Sequence, residues 1–255
     1  MLPQVLLEGP FAEHQLVVRR VASGRRIVPD VERAIETAWR STLARPGVRL
    51  FDGPVCRLES LRRTETGVDV DVSQTSYRIL VGTNFSHPDF LTTHGREVMA
   101  NPLGVSAGLL TRDGYILMGR RNQSVAYYPS RVHPFAGSLE VEDKINLFAN
   151  VRRELHEELS LGADDLAEIT CLGFAEDAQL VHPESVFMAT SNLDRARIES
   201  QVDAAEHSAS WAVRAERDAV SRAITDAELT PIARAVLLMW GRGVFGEHWY
   251  NALAR

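Results

Sequence analysis

The chain has few of the features that would direct it to an oxidising compartment, a membrane or a nucleic acid. Its only cysteines, Cys56 and Cys171, are too few and too far apart for a disulfide framework or a zinc-ligand spacing. No signal-peptide pattern is present, and no run approaches the roughly 20 apolar residues that cross a bilayer. Because 28 Lys and Arg face 34 Asp and Glu, there is no basic stripe for nucleic acid. We therefore expect a cytoplasmic protein without a membrane or nucleic-acid partner.

The remaining composition is typical of a globular protein. Hydrophobic residues make up 45% of the chain and charged residues 24%. A length of 255 residues allows one large domain or two small ones with a substantial core. Pro88, Gly95 and Pro102 punctuate a connecting segment, which places a predicted boundary near residue 100.

The first hundred residues are predicted to form a small α+β unit. Residues 16–18 predict one strand, and the segment 68–72 predicts another, because its valines and acids alternate between two faces. Asp30 predicts the start of a helix that ends near Pro46-Gly47. The apolar positions of that helix are Val31, Ile35, Ala38 and Trp39.

From Leu103 onward, the predicted order is strand, turn, strand, loop, helix, strands and terminal helices. Residues 104–110 and 115–118 flank the turn sequence Arg112-Asp113-Gly114, which predicts a hairpin. Thr230 followed by Pro231 predicts the start of a last helix. Further strands are predicted at 171–175, 186–189 and 210–213. This order favours helices packed on a mixed sheet, an α/β sandwich.

The segment from Arg153 to Leu161 places three glutamates on one predicted helix. Glu154, Glu157 and Glu158 stand at positions i, i+3 and i+4, where Cβ atoms are about 5–6 Å apart. Three like charges at this spacing destabilise a helix unless a cation lies among them. Grouped carboxylate oxygens are suitable ligands for Mg²⁺ or Mn²⁺. The first interpretation of the segment is therefore a metal site.

The alternative is a solvated acidic face, which is common for glutamates on a helix. The apolar stripe of this helix argues against it, because Glu158 falls inside the stripe and Glu154 lies on its edge. A carboxylate that faces the core must be paired or bind metal, since burying it alone costs several kcal/mol. The stripe consists of Phe148, Val151, Leu155 and Leu159.

The sequence around this helix resembles the signature of the Nudix hydrolases, G-x5-E-x7-R-E-U-x-E-E-x-G-U, in which U is apolar. Residues 153–158 match the R-E-U-x-E-E core, and Gly137 stands where the signature begins. The chain departs from the signature in three places. Asp143 replaces the first glutamate, nine residues rather than seven separate it from Arg153, and Ser160 replaces the final glycine.

Short motifs extend the resemblance to one Nudix branch, the UDP-glucose and UDP-galactose pyrophosphatases. Their collinear order along the chain carries the similarity. These motifs are Ala34–Trp39, Leu50–Asp52, Thr75–Arg78, Leu80–Phe85 and Asn101–Val105.

The resemblance implies a Nudix-type α/β/α sandwich with a mixed sheet over residues 101–255. Residues 1–100 would form the amino-terminal α+β unit and contribute to the substrate pocket. The implied activity is metal-dependent hydrolysis, with Mg²⁺ or Mn²⁺, of UDP-glucose or UDP-galactose to UMP and a sugar 1-phosphate. The expected partner is a small nucleotide-sugar substrate. The oligomeric state stays open, and a homodimer is one arrangement that the sequence allows.

Glu154 and Glu158 are the expected pair of direct metal ligands. Glu157 would be a third ligand or would orient a water molecule, and the catalytic base among the three is left open. By resemblance, the backbone carbonyl of Ala136 and the carboxylate of Glu206 would complete the metal site.

The same resemblance assigns roles in the loop and the substrate pocket. Arg153 is expected to hold the acidic loop through Glu142 or Asp143, and Gly137 to allow a close backbone approach. One of two arginines at the end of the hairpin could reach diphosphate oxygens, because successive strand residues face opposite ways. Those arginines are Arg120 and Arg121. By the same resemblance, the residues expected to hold uracil or ribose are Tyr77, Thr83 and Asn84.

Two alternatives to this activity stay open. One is hydrolysis of a related substrate, such as an ADP-sugar, a dinucleotide or coenzyme A. The other is a Nudix-fold module that binds a nucleotide without cleaving it, which the lengthened loop before Arg153 allows. Retention of all three helix glutamates argues against the second alternative.

Overall fold

A mixed eight-stranded sheet forms the centre of the molecule. The computed structural model describes residues 2–45, 50–123, 125, 127–204 and 206–254. The sheet has the order β1-β9-β10-β5-β6-β11, with β7 paired to β6 and β8 paired to β5. Its strands are β1 Gln4–Phe11, β5 Gly104–Leu110, β6 Tyr115–Arg121, β7 Val132–His133, β8 Phe135–Ser138, β9 Leu166–Asp177, β10 His182–Ser191 and β11 His207–Arg214. Within this sheet, strands β5 and β10 are parallel and the other described pairs are antiparallel.

Helices cover both faces of this sheet. Helix α4, Leu147–Leu159, packs against β5 and β8 on one face. Helix α7, Pro231–Phe245, packs against β5, β9 and β10 on the other, together with α6, Arg217–Ile224, and α8, Glu247–Leu253. A short helix α5 spans Arg195–Glu199. This arrangement confirms the predicted α/β sandwich. No helix in the described part of the chain is both long and apolar enough to cross a membrane.

The amino-terminal unit contains a second, three-stranded sheet with the order β2-β4-β3. Its strands are β2 Leu16–Arg20, β3 Pro54–Arg63 and β4 Val68–Ser76, and its helices are α1 Pro29–Leu43, α2 Tyr77–Leu80 and α3 Phe90–Thr93. Val70 and Val72 of β4 belong to the same buried cluster as Val151 and Leu155 of α4. Strand β1 also comes from the first hundred residues, yet it pairs with β9 in the large sheet. The boundary near residue 100 stays a prediction.

Most of the predicted elements are present. The hairpin forms from β5 and β6, and Thr230 caps α7 by accepting a hydrogen bond from the Ala233 amide at 3.2 Å. The predicted cap of α1 is wrong, because Val28 occupies the cap position, Pro29 begins the helix and Asp30 pairs with Arg33. Proline starts a helix readily, since its fixed φ fits and its missing N–H would have had no partner. The predicted end at Pro46-Gly47 lies outside the described residues.

Both cysteines are buried free thiols, in agreement with their unsuitability for a disulfide framework. Burial raises the pKa of the Cys56 thiol to about 11 and that of Cys171 to about 12. A thiol with so high a pKa is almost wholly protonated near neutral pH and is a poor nucleophile.

Helix α4 ends one residue before Ser160, which adopts the left-handed conformation with φ 54° and ψ 31°. The backbone amide of Ser160 donates to the carbonyl of His156 at 2.8 Å. The next glycine, Gly162, lies two residues later with φ −89°. The position where the Nudix signature has glycine is therefore the one at which the backbone requires a positive φ.

We expect Ser160→Gly to raise the free energy of unfolding by about 0.5–1 kcal/mol, because glycine adopts a positive φ without a Cβ clash. Ser200 is an exposed control at a helix end with φ −71°. Ser200→Gly should lower stability, since there glycine adds only chain entropy to the unfolded state. Urea denaturation of the three proteins measures both effects. Equal shifts in the two variants would contradict this account of Ser160.

Candidate active site

Glu158 lies at the centre of the site, between α4, β8 and β11. Its side chain is buried, as its place in the apolar stripe predicts. One carboxylate oxygen accepts a hydrogen bond from the Ala136 amide at 2.9 Å, and the other lies 2.5 Å from Nε2 of His207. Burial raises the pKa of Glu158, whereas the contacts with His207 and Ala136 lower it. The carboxylate thus has two fixed partners.

His207 is a residue that the sequence analysis missed. It is the first residue of β11, and its ring meets the ring of Phe135 edge-on with centroids 5.5 Å apart. A Cβ on Gly119 would lie 2.1 Å from its Nδ1, so only glycine on β6 leaves room for the imidazole. The available signal was its position next to Glu206, but no spacing relates it to the glutamates of α4.

The side chain of Glu154 also lies in space that a glycine leaves free. A Cβ on Gly137 would lie 2.2 Å from the carboxyl carbon of Glu154. Glu154 itself is buried, with a relative exposure of 9%. Burial raises the pKa of Glu154 to about 7, and the nearby Glu158 and Glu157 add to this effect. Arg153 opposes the rise, because its Nη2 lies 3.0 Å from a Glu154 oxygen.

Arg153 also joins α4 to the acidic loop that precedes it. Its Nη1 lies 3.5 Å from Glu142, as predicted, and 3.1 Å from Glu140, which the sequence analysis did not select. Its Nη2 donates to the side chain of Asn150 at 2.9 Å. Glu157 is exposed, with an oxygen 3.9 Å from Nε of Arg153. Arg153 therefore fixes the loop against the helix on which Glu154 and Glu157 stand.

The residues at Glu158 fit a divalent cation. One possible ligand atom from each of Glu158, Glu206 and His207 lies within 4.8 Å of the other two. Within the described ranges, this is the only group of three or more such side chains that meets this distance. Glu206 was chosen from the sequence as the loop acid, over Glu176, Asp177 and Glu184.

Those three rejected acids have protein partners elsewhere. Glu176 binds Arg96 at 2.6 Å, Asp177 accepts from the Tyr128 hydroxyl, and Glu184 accepts from Ser106.

Ala136 offers its amide to Glu158, while the proposed role of its carbonyl as a metal ligand stays a prediction. The oxygen donors of the group suit Mg²⁺ or Mn²⁺.

A cavity of about 490 Å³ lies beside Glu154. Tyr77, the first residue of α2, is among its walls, so the amino-terminal unit contributes to the same space as the acidic helix. The cavity is lined by Phe51, Gly53, Pro54, Val55, Tyr77, Gly137, Ser138, Glu140, Val141, Glu154 and Glu157. This is the space in which a substrate next to Glu154 would lie.

Thr83 and Asn84 do not line this cavity. Both side chains are fully buried in the π-helical turn Val81–Phe85. The Asn84 amide donates to the carbonyls of Leu180 and Val181 at 2.7 and 2.9 Å. Because their polar atoms already bind the protein, the predicted contact of Thr83 and Asn84 with a nucleotide has no support in this geometry.

The two arginines at the end of β6 have different partners. Arg120 forms an ion pair with Glu228 at 2.7 Å. The guanidinium of Arg121 lies 4.3 Å from the ring centroid of Tyr127, and its positive charge opposes the burial that raises the pKa of Tyr77. Of the two, Arg121 is therefore the arginine near Tyr77.

The raised pKa of Glu154 predicts a pH dependence of stability without metal. Between its ordinary pKa of 4.5 and about 7, the folded protein keeps a proton that the unfolded chain has released. In EDTA, this group should therefore lower the free energy of unfolding as pH rises through that window, by up to roughly 3 kcal/mol.

Glu154→Gln isolates this contribution, because the amide does not titrate. Its stability relative to the unmodified protein should increase from pH 4.5 to pH 7 in urea denaturation. Glu157→Gln, at an exposed position, is the matched control and should show no such trend. Parallel stability curves for Glu154→Gln and the unmodified protein would contradict the raised pKa.

Comparison with known proteins identifies relatives with a named activity. No protein-family model matches this chain. Uridine diphosphate glucose pyrophosphatase NUDT22 of Mus musculus is 29% identical over 201 residues, which cover 66% of this chain and 64% of the relative. The enzyme of the same name from Homo sapiens is 31% identical over 190 residues, covering 61% of each chain. The chain therefore spans less than two thirds of the length of these relatives.

Two solved structures are also similar to the chain. The NUDIX domain of Shewanella oneidensis NrtR, complexed with ADP ribose, is 13% identical with a TM-score of 0.43, over 62% of this chain and 99% of that one. A NUDIX hydrolase from Nitrosomonas europaea is 16% identical with a TM-score of 0.37, over 56% and 89%. The sequence relatives confirm the resemblance inferred above: over 61–66% of its length, this chain is similar to the UDP-glucose pyrophosphatases, a branch of the Nudix hydrolases.

Proposed function

We propose that this protein hydrolyses the diphosphate bond of a nucleoside diphosphate-linked substrate in the presence of Mg²⁺ or Mn²⁺. The preferred substrate is UDP-glucose or UDP-galactose, and the products are UMP and a sugar 1-phosphate. The observation that carries the proposal is the pair of buried carboxylates on one rigid helix, Glu154 and Glu158, beside a cavity that also contains Tyr77. The similarity to the UDP-glucose pyrophosphatases supports the choice of substrate.

Glu158 and Glu206, with Glu154 one turn away, would hold the cation. When bound, a divalent cation stabilises the negative charge that develops on phosphoryl oxygens during hydrolysis. Arg153 keeps the Glu154 carboxylate in place and fixes the acidic loop, so that the ligands are positioned before the substrate arrives.

The remaining carboxylates of the cavity can handle the proton of the attacking water. Glu158 already accepts a hydrogen bond from Ala136 and contacts His207. Glu154 and Glu157 line the cavity directly, so either could accept that proton. The choice of base stays open between Glu154 and Glu157.

Two further residues could bind the substrate. The ring of Tyr77 forms part of the cavity wall, where it could stack on uracil. The guanidinium of Arg121 is near enough to Tyr77 to lower its pKa, and its planar fork suits bidentate contacts with diphosphate oxygens.

Product analysis tests the proposed bond cleavage. In ¹⁸O water with Mg²⁺, UDP-glucose should give UMP and glucose 1-phosphate, with the label in one of them. A parallel panel of ADP-sugar, dinucleotide and coenzyme A identifies a related substrate, and binding without any product identifies a non-catalytic module. Free glucose together with UDP would refute the mechanism, since it requires cleavage at the sugar carbon.

Glu158→Gln should abolish this turnover while the protein stays folded, because the amide keeps the shape and removes the charge. Glu216→Gln changes an exposed glutamate at the start of α6 in the same way and should leave activity unchanged. Steady-state rates for UDP-glucose and far-UV circular dichroism compare the three proteins. Activity of Glu158→Gln within a few-fold of the unmodified protein would exclude Glu158 as a required ligand.

Tyr77→Ala tests the contribution of the amino-terminal unit. Loss of a base-stacking contact of about 1–3 kcal/mol should raise KM for UDP-glucose by about tenfold or more. Tyr77→Phe keeps the ring and should change KM little. An unchanged KM in a well-folded Tyr77→Ala protein would mean that the first hundred residues serve another purpose, such as dimerisation.

A further inference from the structure

The imidazole of His207 lies in the group of side chains that fits a cation. Its Nε2 is 2.5 Å from a Glu158 oxygen, and both side chains are 3% exposed. Glu206 brings a second carboxylate within 4.8 Å of the other two ligand atoms. Among the described residues, neither Glu158 nor Glu206 forms an ion pair with an arginine or lysine. Glu158 is buried and Glu206 is exposed, and a cation between two carboxylates this close would offset their mutual repulsion.

The backbone holds this group in place from three directions. The Asp203 amide donates to the carbonyl of Glu158 at 2.8 Å, and the His207 amide donates to the carbonyl of Asp203 at 3.1 Å. The Asn122 amide donates to the carbonyl of Glu206 at 3.0 Å. The loop before β11 is thus attached both to the last turn of α4 and to the end of β6.

The ring of His207 is held mainly by packing, since its Nδ1 has no hydrogen-bond partner among the described residues. Gly119 leaves the space that Nδ1 occupies, and Phe135 packs edge-on against the ring. As a result, Nε2 is the ring nitrogen that faces Glu158, and Glu206 lies next to the same pair. An imidazole nitrogen beside two carboxylates is a donor set that transition metals bind.

We propose that Nε2 of His207 is a direct ligand of the divalent cation held by Glu158 and Glu206, and that it makes the site prefer Mn²⁺ over Mg²⁺. This inference rests on the proposed function, because it names a ligand of the same site. Mg²⁺ binds mainly oxygen ligands and loses its waters reluctantly, whereas imidazole suits metals of the transition series. A nitrogen donor therefore strengthens Mn²⁺ binding more than Mg²⁺ binding.

The competing role for His207 is that of a positioning residue. In that case Nε2 carries a proton, donates it to Glu158 and orients the carboxylate without touching the cation. His207→Gln separates the two roles, since a glutamine amide can still donate to Glu158 but offers no imidazole nitrogen to the metal.

The test uses the full chain without affinity-tag histidines, stripped of metal and loaded with Mn²⁺ in the absence of substrate. Pulsed electron paramagnetic resonance detects the strong ¹⁴N coupling of a nitrogen bound directly to Mn²⁺. We expect this coupling in the unmodified protein and its loss in His207→Gln. The control is His156→Gln, on the exposed side of α4, which should keep the coupling.

Binding titrations give a second measurement. The Mn²⁺ dissociation constant of His207→Gln should rise by at least about 10-fold. This is the smallest effect expected for an outer-shell partner, and the loss of a direct ligand should cost no less. The Mg²⁺ constant, measured by competition, should rise less. If His207→Gln does not fold, ¹⁵N-histidine labelling of the unmodified protein should replace the ¹⁴N coupling with that of ¹⁵N.

The outcomes separate this inference from the proposed function. Absence of Mn²⁺ binding, absence of ¹⁴N coupling in the unmodified protein, or its persistence in His207→Gln would overturn the role of His207. None of these results depends on turnover. If the protein shows the coupling but hydrolyses no nucleoside diphosphate derivative, the role of His207 as a ligand is supported and the proposed activity is refuted.

Discussion

The structure of the site depends on the burial of two carboxylates from one helix. Glu154 and Glu158 are one turn apart on α4, and both lie against the central sheet rather than in solvent. Removing a carboxylate from water costs several kcal/mol unless a hydrogen bond, an opposite charge or a metal replaces the water. The surrounding elements supply these partners: the Ala136 amide and His207 contact Glu158, and Arg153 contacts Glu154.

Two glycines of the sheet make this close packing possible. Gly137 of β8 leaves space for the Glu154 carboxylate, and Gly119 of β6 leaves space for the His207 ring. A Cβ at either position would come within 2.2 Å of the side chain that now occupies the space. In most sheets, side chains at these two positions would fill this space. Here the Glu154 carboxylate and the His207 ring fill it instead.

The amino-terminal unit is attached to the site through the backbone of β3. The Cys56 amide donates to the carbonyl of Leu139 at 2.8 Å, and Val55 pairs with Glu140 in an isolated bridge. The amide of Tyr77 donates to the carbonyl of Gly53 at 3.0 Å. These contacts set the small sheet beside the loop that Arg153 holds, so one cavity has walls from both parts of the chain.

The sequence by itself determined the features that local periodicity encodes. The burial of Glu158 follows from the apolar stripe of α4, and the contact of Arg153 with Glu142 follows from resemblance to a short local signature. The hairpin and the start of the last helix follow from turn and cap residues. Each of these features depends on residues close together in the chain, so a local pattern or a short motif is sufficient to predict it.

Only the tertiary structure decided which distant residues meet at the site. His207 reaches Glu158 because β11 pairs with β6 in a register that sets His207 beside Arg121, 86 residues earlier in the chain, a relation that no spacing encodes. Asn84 was expected near a nucleotide, yet it binds the carbonyls of Leu180 and Val181 inside the protein. Strand register and the packing of the two sheets arise from non-local contacts, and these contacts bring His207 to the site and keep Asn84 away from it.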